Sequence, residues 1–244
     1  MMYVEILIPV CLMIVAFLYA SVGHGGASGY IAVLTLFGIS LAAYKPVVLI
    51  LNIVIASIAF IQFYRAGYFK WKLALPFLVT SIPAAFLGSH FTVSEKLYKI
   101  ILGIALLFPI LRLVTKFAKE QPEKKELNIA GALVIGAVIG FISGFLNIGG
   151  GIFLSPVLIL LAWSTAKEAA AVSSLFIVCN SLAGLVAAFS NGVTFAKESY
   201  IWLIAAIIGG VLGSYLGSHK YKQMTIMYVL AAVLMIASFK LIFS

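Results

Sequence analysis

The sequence predicts an all-α, polytopic helical membrane protein made of two structurally repeated halves, with about 8–10 membrane helices, each near the 20 residues that span a bilayer. Three observations carry that prediction. Apolar runs of bilayer-spanning length recur along the whole chain, separated by short polar loops. The chain of 244 residues is 64% hydrophobic and only 9% charged, where a soluble domain carries about a quarter charged residues. Its mean hydropathy is +1.20, and a soluble globule this apolar would have to expose much of that side chain to water. Finally, the landmarks of the first half return in the same order in the second. Short alternating segments of the kind that build a transmembrane barrel are missing from the pattern.

Residues 4 to 22 span once. They begin with Glu5 rather than a basic region, so they read as a mature helix and not as a cleaved leader. A glycine-rich break follows, Gly23-His24-Gly25-Gly26-Ala27-Ser28-Gly29, and then a shorter helix over 30 to 39. Lys45-Pro46 opens the next span, with proline in a first helical turn; that span runs to about Tyr64 and holds Asn52, Ser57 and Gln62. Residues 73 to 89 span again and end in Leu87-Gly88-Ser89-His90, and 97 to 114 close the half. Residues 115 to 128 are polar and of mixed charge, a solvated linker rather than a domain. The first repeat is therefore 1–114 and the second 129–244. In the second, 129 to 147 span, Gly149-Gly150-Gly151 break the chain, and a short helix passes through Ser155-Pro156 to about Trp163. Residues 170 to 189 carry Ser173, Ser174, Asn180 and Ser181; 200 to 218 end in Leu216-Gly217-Ser218-His219, and 224 to 243 finish the chain. The two glycine breaks, the two Leu-Gly-Ser-His tetrapeptides and the pair Asn52 and Asn180 match in order, which argues for duplication.

The loops at 65–72 and 112–127 lie on one side and hold half of the 16 lysines and arginines. The positive-inside rule places that side, and the 115–128 linker, in the cytoplasm of a plasma membrane. The formal charge of +9 thus belongs to loops facing anionic headgroups, with no nucleic-acid partner implied. If each broken pair crosses the membrane once, each half has four spans and the repeats are parallel. If each pair returns or crosses twice, the repeats are inverted, and Lys167, Lys220 and Lys222 join the cytoplasmic side. The charges favour the second arrangement.

The chain contains no aspartate, and its seven glutamates lie at segment ends or in loops. Intramembrane carboxylates are the usual marks of an ion path, so a sodium carrier or a carboxylate proton relay is disfavoured. No lysine or arginine sits at mid-membrane either. What remains at depth is neutral: backbone N–H groups at helix starts, hydroxyls and carboxamides. Irregular backbone at that depth must be covered by protein or line a cavity, and Gly-interrupted segments at matching places in two halves point to a transporter's binding site. Helix N-termini attract anions, and glycine lets a ligand approach their backbone. The candidate substrate-binding residues are His24, Gly25, Gly26, Ser28, Asn52, Asn147, Gly149, Gly150, Gly151, Ser173, Ser174 and Asn180. His24 doubles as a candidate proton carrier, since imidazole titrates near neutrality. Each has a plainer reading: close packing for the glycines, interhelical hydrogen bonds for the asparagines, bonds to their own helix for Ser173 and Ser174. His90 and His219, at segment ends, read as interfacial. Cys11 and Cys179 read as packing residues, and neither a cofactor nor a metal site is predicted.

These residues resemble the sulfite exporter TauE/SafE family of membrane permeases over nearly the whole chain. The resemblance rests on the tandem halves, Gly25-Gly26 and Gly149-Gly150-Gly151, Ser155-Pro156, Asn52 and Asn180, and the charged linker. It implies duplicated four-span units, which competes with inverted repeats, and a small anionic cargo such as sulfite or an organosulfonate. The first half departs from the pattern: Ala27 stands where the second half has Gly151, Ala32 where it has Pro156, and His24 opposite Ile148. An inside-negative potential drives a lone anion outward, about 2.3 kcal/mol per charge per 100 mV, so export is the expected direction. Two other readings stand beside this one. Gly26-Ala27-Ser28-Gly29 resembles the nucleophile motif of rhomboid intramembrane serine proteases, which would need a histidine within reach of Ser28. A non-transporting membrane subunit would need large loops for partners, and the loops here are short. Homo-oligomerisation is left open.

Overall fold

A computed structural model describes residues 2–39, 41–91, 93–115, 124–189 and 199–220, together with residues 228, 231, 232, 235, 238, 239 and 242. Helices α1 (Met2–Ser21), α2 (Ala27–Leu36), α3 (Leu41–Arg65), α4 (Trp71–Ser89) and α5 (Glu95–Thr115) precede the linker. Helices α6 (Ile129–Leu146), α7 (Gly151–Leu160), α8 (Ala166–Phe189) and α9 (Ser199–His219) follow it. The described residues between 228 and 242 are helical, and Ser238 donates a 2.6 Å hydrogen bond to Gly103 O on α5. The rest of the expected last helix, most of the linker and the loop before α9 lie outside the described residues.

Among the described residues five helices are long and apolar enough to cross a membrane: Tyr44–Arg65, Trp71–Ser89, Ile129–Leu146, Ala166–Phe189 and Ser199–His219. Their outward faces carry Val79, Val134, Val186, Ile201 and Ile204, all exposed. Hydrophobic side chains face outward while Ser81, Ser143, Ser173, Ser174, Ser214, Asn52 and Asn180 are buried. That inside-out distribution suits a hydrocarbon solvent, and the chain is a multi-pass membrane protein.

Neighbouring helices run in directions that their contacts define. Helices α3 and α8 are antiparallel: Leu49 lies beside Gly184, Asn52 bonds Ser181, Phe63 packs with Ala170 and Ala171, and Lys167 reaches Tyr68. Helices α4 and α6 are parallel, with Gly136, Gly140 and Gly144 seated against Phe77, Ser81 and Ala85 in turn. Helices α1 and α9 are parallel too, with Gly209, Gly213 and Gly217 against Met13, Phe17 and Ser21. In both pairs a methyl on the glycine would overlap the facing carbonyl oxygen, so only glycine permits the observed backbone approach.

Each short helix folds back. In α2, Ser28 bonds Tyr19 and Gly29 lies against Val15 and Tyr19 of α1. In α7 the chain returns to the start of α6, where Lys125 N donates to Ala162 O and the Trp163 ring lies by Gly131. The two broken pairs are therefore re-entrant hairpins. Helix α1 runs parallel to α9, which ends at Ser218 beside Lys167, whereas α6 starts at that same end; the hairpins enter from opposite faces.

Candidate functional site

The two glycine breaks meet in the interior although more than a hundred residues separate them. Each break turns on glycine in the left-handed region: Gly26 at φ 105° caps α2, and Gly150 at φ 73° caps α7, with Gly149 also at 73°. An L-residue is strained there, which explains why both short helices start one residue beyond a glycine. The sequence expectation began α2 at residue 30; the helix starts at Ala27, because alanine tolerates the first turn once Gly26 has made the bend.

Asn52 joins the breaks. Its Oδ1 accepts from Ala27 N at 3.0 Å, capping α2, and its Nδ2 donates to Ser181 Oγ at 2.8 Å. A Cβ on Gly25 would overlap this carboxamide, and one on Gly149 would lie 2.6 Å from its Nδ2. The amide thus sits between Gly25 and Gly149, with both bonds to α2 and α8 satisfied and no exposure.

His24 crosses from the first break to the first turn of α7. Its Nε2 lies 3.1 Å from Gly151 O and 3.1 Å from Ser155 Oγ, and Ser155 donates onward to Ser173 Oγ at 2.7 Å. Ser28 pairs with the Tyr19 hydroxyl at 2.8 Å, and Tyr30 donates to Gly25 O at 2.8 Å. Of the expected residues, His24, Gly25, Gly26, Asn52, Gly149, Gly150, Gly151 and Ser173 come together directly, and Ser28 lies one turn into α2. Ser174 bonds its own helix at Ala171 O. Asn147 is the left-handed C-cap of α6, its amide 3.5 Å from Phe145 O, and serves the turn. Asn180 is 1% exposed, and neither atom of its carboxamide has a hydrogen-bond partner. Asn52 and Asn180 thus differ sharply in bonding.

Sequence reasoning missed Tyr19, Tyr30, Ser155 and Ser181 as contributors. Two carried a readable signal: Tyr30 lies four residues after Gly26 and Ser155 four after Gly151, the spacing that returns a helix to the same face. Ser181 and Tyr19 carried none, since their roles depend on a helix packed from elsewhere.

The first turn of α7 offers backbone N–H groups without a side-chain cap, whereas α2 has the Asn52 cap. With an imidazole and hydroxyls at that turn, an unbonded carboxamide on α8 and, among the described residues, no acidic side chain bonded to any of these groups, the arrangement is chemically suited to a small anion. Ser28 lacks a histidine partner: His24 is engaged with α7, and His90 and His219 contact carbonyls one turn back on their own helices, at Phe86 and Tyr215.

Comparison with known proteins finds a match to the family model described as "Sulfite exporter TauE/SafE" over residues 8–241. The chain is 33% identical to the probable membrane transporter protein y4hK of Sinorhizobium fredii, over 96% of this chain and 97% of that one. It is 24% identical to the probable membrane transporter protein YunE of Bacillus subtilis, over 77% and 75% of the two chains. The probable membrane transporter protein MJ0441 of Methanocaldococcus jannaschii is 25% identical over 57% of this chain. No solved structure matches the chain significantly.

Proposed function

This chain belongs to the sulfite exporter TauE/SafE family and is a membrane transporter, and from that premise we propose that its cargo is a small anion, a sulfur oxyanion or sulfonate, moved outward through a site at the two glycine breaks. The observation that carries the reading is the meeting of the breaks around Asn52 and His24, with the Asn180 carboxamide buried and unbonded one residue before Ser181 on α8. Leaving a buried polar group unpaired costs roughly 1–3 kcal/mol, a cost a ligand with hydrogen-bonding oxygens offsets. Neutral donors replace part of an anion's hydration shell without a fixed counter-charge, so binding stays weak enough for release. The antiparallel α3/α8 pair and the opposed hairpins support an inverted repeat, the architecture in which alternating access rocks one half against the other.

The test is thermal stability of the purified protein against sulfite, sulfate, thiosulfate, sulfoacetate, taurine and acetate. A ligand that binds only the folded state raises the midpoint by mass action. The expected result is a selective rise with one sulfur anion, lost in Gly25→Val, whose side chain displaces the Asn52 amide. A flat response to the whole panel at millimolar concentration removes the substrate assignment. The protease reading predicts that Ser28→Ala abolishes peptide cleavage; the bonding of Ser28 to Tyr19 speaks against it.

A further inference from the structure

The hydrogen bonds of His24 define its tautomer. Gly151 O can only accept, so Nε2 must carry the proton that it shares at 3.1 Å. The Ser155 hydroxyl spends its own proton on Ser173, so towards His24 it also accepts. Both contacts make Nε2 a donor, whatever the charge of the ring. The other nitrogen, Nδ1, is buried and has no partner. With the ring neutral, Nδ1 is a bare lone pair beside a site built from donors. With the ring protonated, it is one more N–H donor and, among the described residues, the only positive charge at the breaks.

Among the described residues the surroundings offer no counter-charge for that proton. The helices packed there contribute Gly151 and Ser155 from α7, Ser173 from α8 and Asn52 from α3, all neutral. The phenols of Tyr19 and Tyr30 are engaged with Ser28 and Gly25 O. The carboxylate on α8, Glu168, is held at the helix start by Lys70 and Lys124, each at 2.7 Å. Lys167 is turned to Tyr68 and Ser218 O. An imidazolium buried alone is costly, and so is an anion buried alone; together each relieves the other.

We propose that the transported anion and one proton bind together, the proton on His24 Nδ1, and cross as a pair. This rests on the anion-transport reading above. On the loading side the neutral imidazole takes up one proton as the anion enters; on the release side both depart and the neutral ring returns. A divalent oxyanion then crosses with one net negative charge and is still driven outward by an inside-negative potential. A monovalent sulfonate crosses with no net charge and ignores the potential.

Two measurements test the pairing, using thiosulfate, sulfate and methanesulfonate, which are fully ionised at neutral pH and bring no proton of their own. In proteoliposomes holding a trapped pH dye, uptake of any of them should acidify the lumen by one proton per anion. In detergent, with the free ring neutral, affinity should weaken about tenfold per unit rise in pH, as one-proton linkage requires. In His24→Gln, which keeps an N–H for Gly151 O but cannot titrate, any residual binding should be independent of pH. Uptake by the wild type without acidification, a pH-flat affinity in the wild type, or unchanged pH dependence in His24→Gln overturns the pairing alone. Absence of binding and uptake for all three anions overturns the anion-transport reading, and the pairing with it.

Discussion

Asn52 and Asn180 occupy matching places in the two halves, yet their carboxamides do different work. Asn52 caps α2 and holds Ser181, while Asn180 is buried without a bond. Replacing each by leucine should therefore affect stability differently. Asn52→Leu strands the Ala27 N–H and should cost about 1–3 kcal/mol. Asn180→Leu removes an unpaired polar group and should leave stability unchanged or raise it by about 1 kcal/mol, while abolishing anion-induced stabilisation. Thermal midpoints of the two purified variants, with and without anion, read both effects; a destabilised Asn180→Leu would make that amide structural. Both asparagines stand out in sequence because carboxamides in apolar runs need partners. Their division of labour does not, because Ser181 and Ala27 reach Asn52 only through the packing of α8 and the bend at Gly26.

Helices meet here by two kinds of glycine, and only one kind was readable. The break glycines interrupt apolar runs, so their place shows in sequence, and Gly23, Gly26, Gly149 and Gly150 adopt positive φ. The stripes Gly136-Gly140-Gly144 and Gly209-Gly213-Gly217 sit inside helices with ordinary backbone, and nothing local names α4 and α1 as their partners. Each stripe lets two backbones touch, the packing mode of helices in lipid, where apolar burial alone does not drive association. Gly213→Ala puts a methyl into the Phe17 carbonyl and should destabilise by about 1–3 kcal/mol. Gly131→Ala, also in a helix but with its nearest neighbour 3.5 Å away, should stabilise by about 0.5–1 kcal/mol through reduced chain entropy. Unfolding midpoints of the two variants should move apart in sign. Equal losses would mean that the α1–α9 contact is looser than described. The helix starts tell a similar story: Thr165 and Glu168 form a reciprocal capping box at α8, with Thr165 N bonded to Glu168 Oε2 at 2.8 Å and Glu168 N to Thr165 Oγ1 at 3.3 Å. Thr165-Ala166-Lys167-Glu168 has the Thr-x-x-Glu spacing of that motif. Its second task, receiving Lys70 and Lys124, required the fold.

At the scale of the whole molecule, one end is knitted by charge. Glu168 on α8 takes Lys70 from the α3–α4 loop and Lys124 from the end of the linker, and Lys167 reaches Tyr68 and Ser218 O. The bond to Glu168 holds the Lys70 ammonium above the usual lysine range. The same end carries Arg65 and Lys72, so the positive-inside rule makes it cytoplasmic. This arrangement separates the two topologies that sequence left open. With re-entrant pairs, Lys72 and Lys220 share the cytoplasmic side and Val93 faces outward. With pairs that cross once, Lys220 would lie with Val93 instead. Single cysteines at these three positions, in a background with Cys11 and Cys179 replaced, decide the matter with a membrane-impermeant maleimide. Lys72→Cys and Lys220→Cys should resist the reagent in intact cells and react in inside-out vesicles, and Val93→Cys should do the reverse. Labelling of Lys220→Cys from outside would break the antiparallel relation of the halves and with it the opposed hairpins. The breaks could then no longer approach one another from the two faces, and the site proposed between Gly25 and Gly149 would lose its architecture.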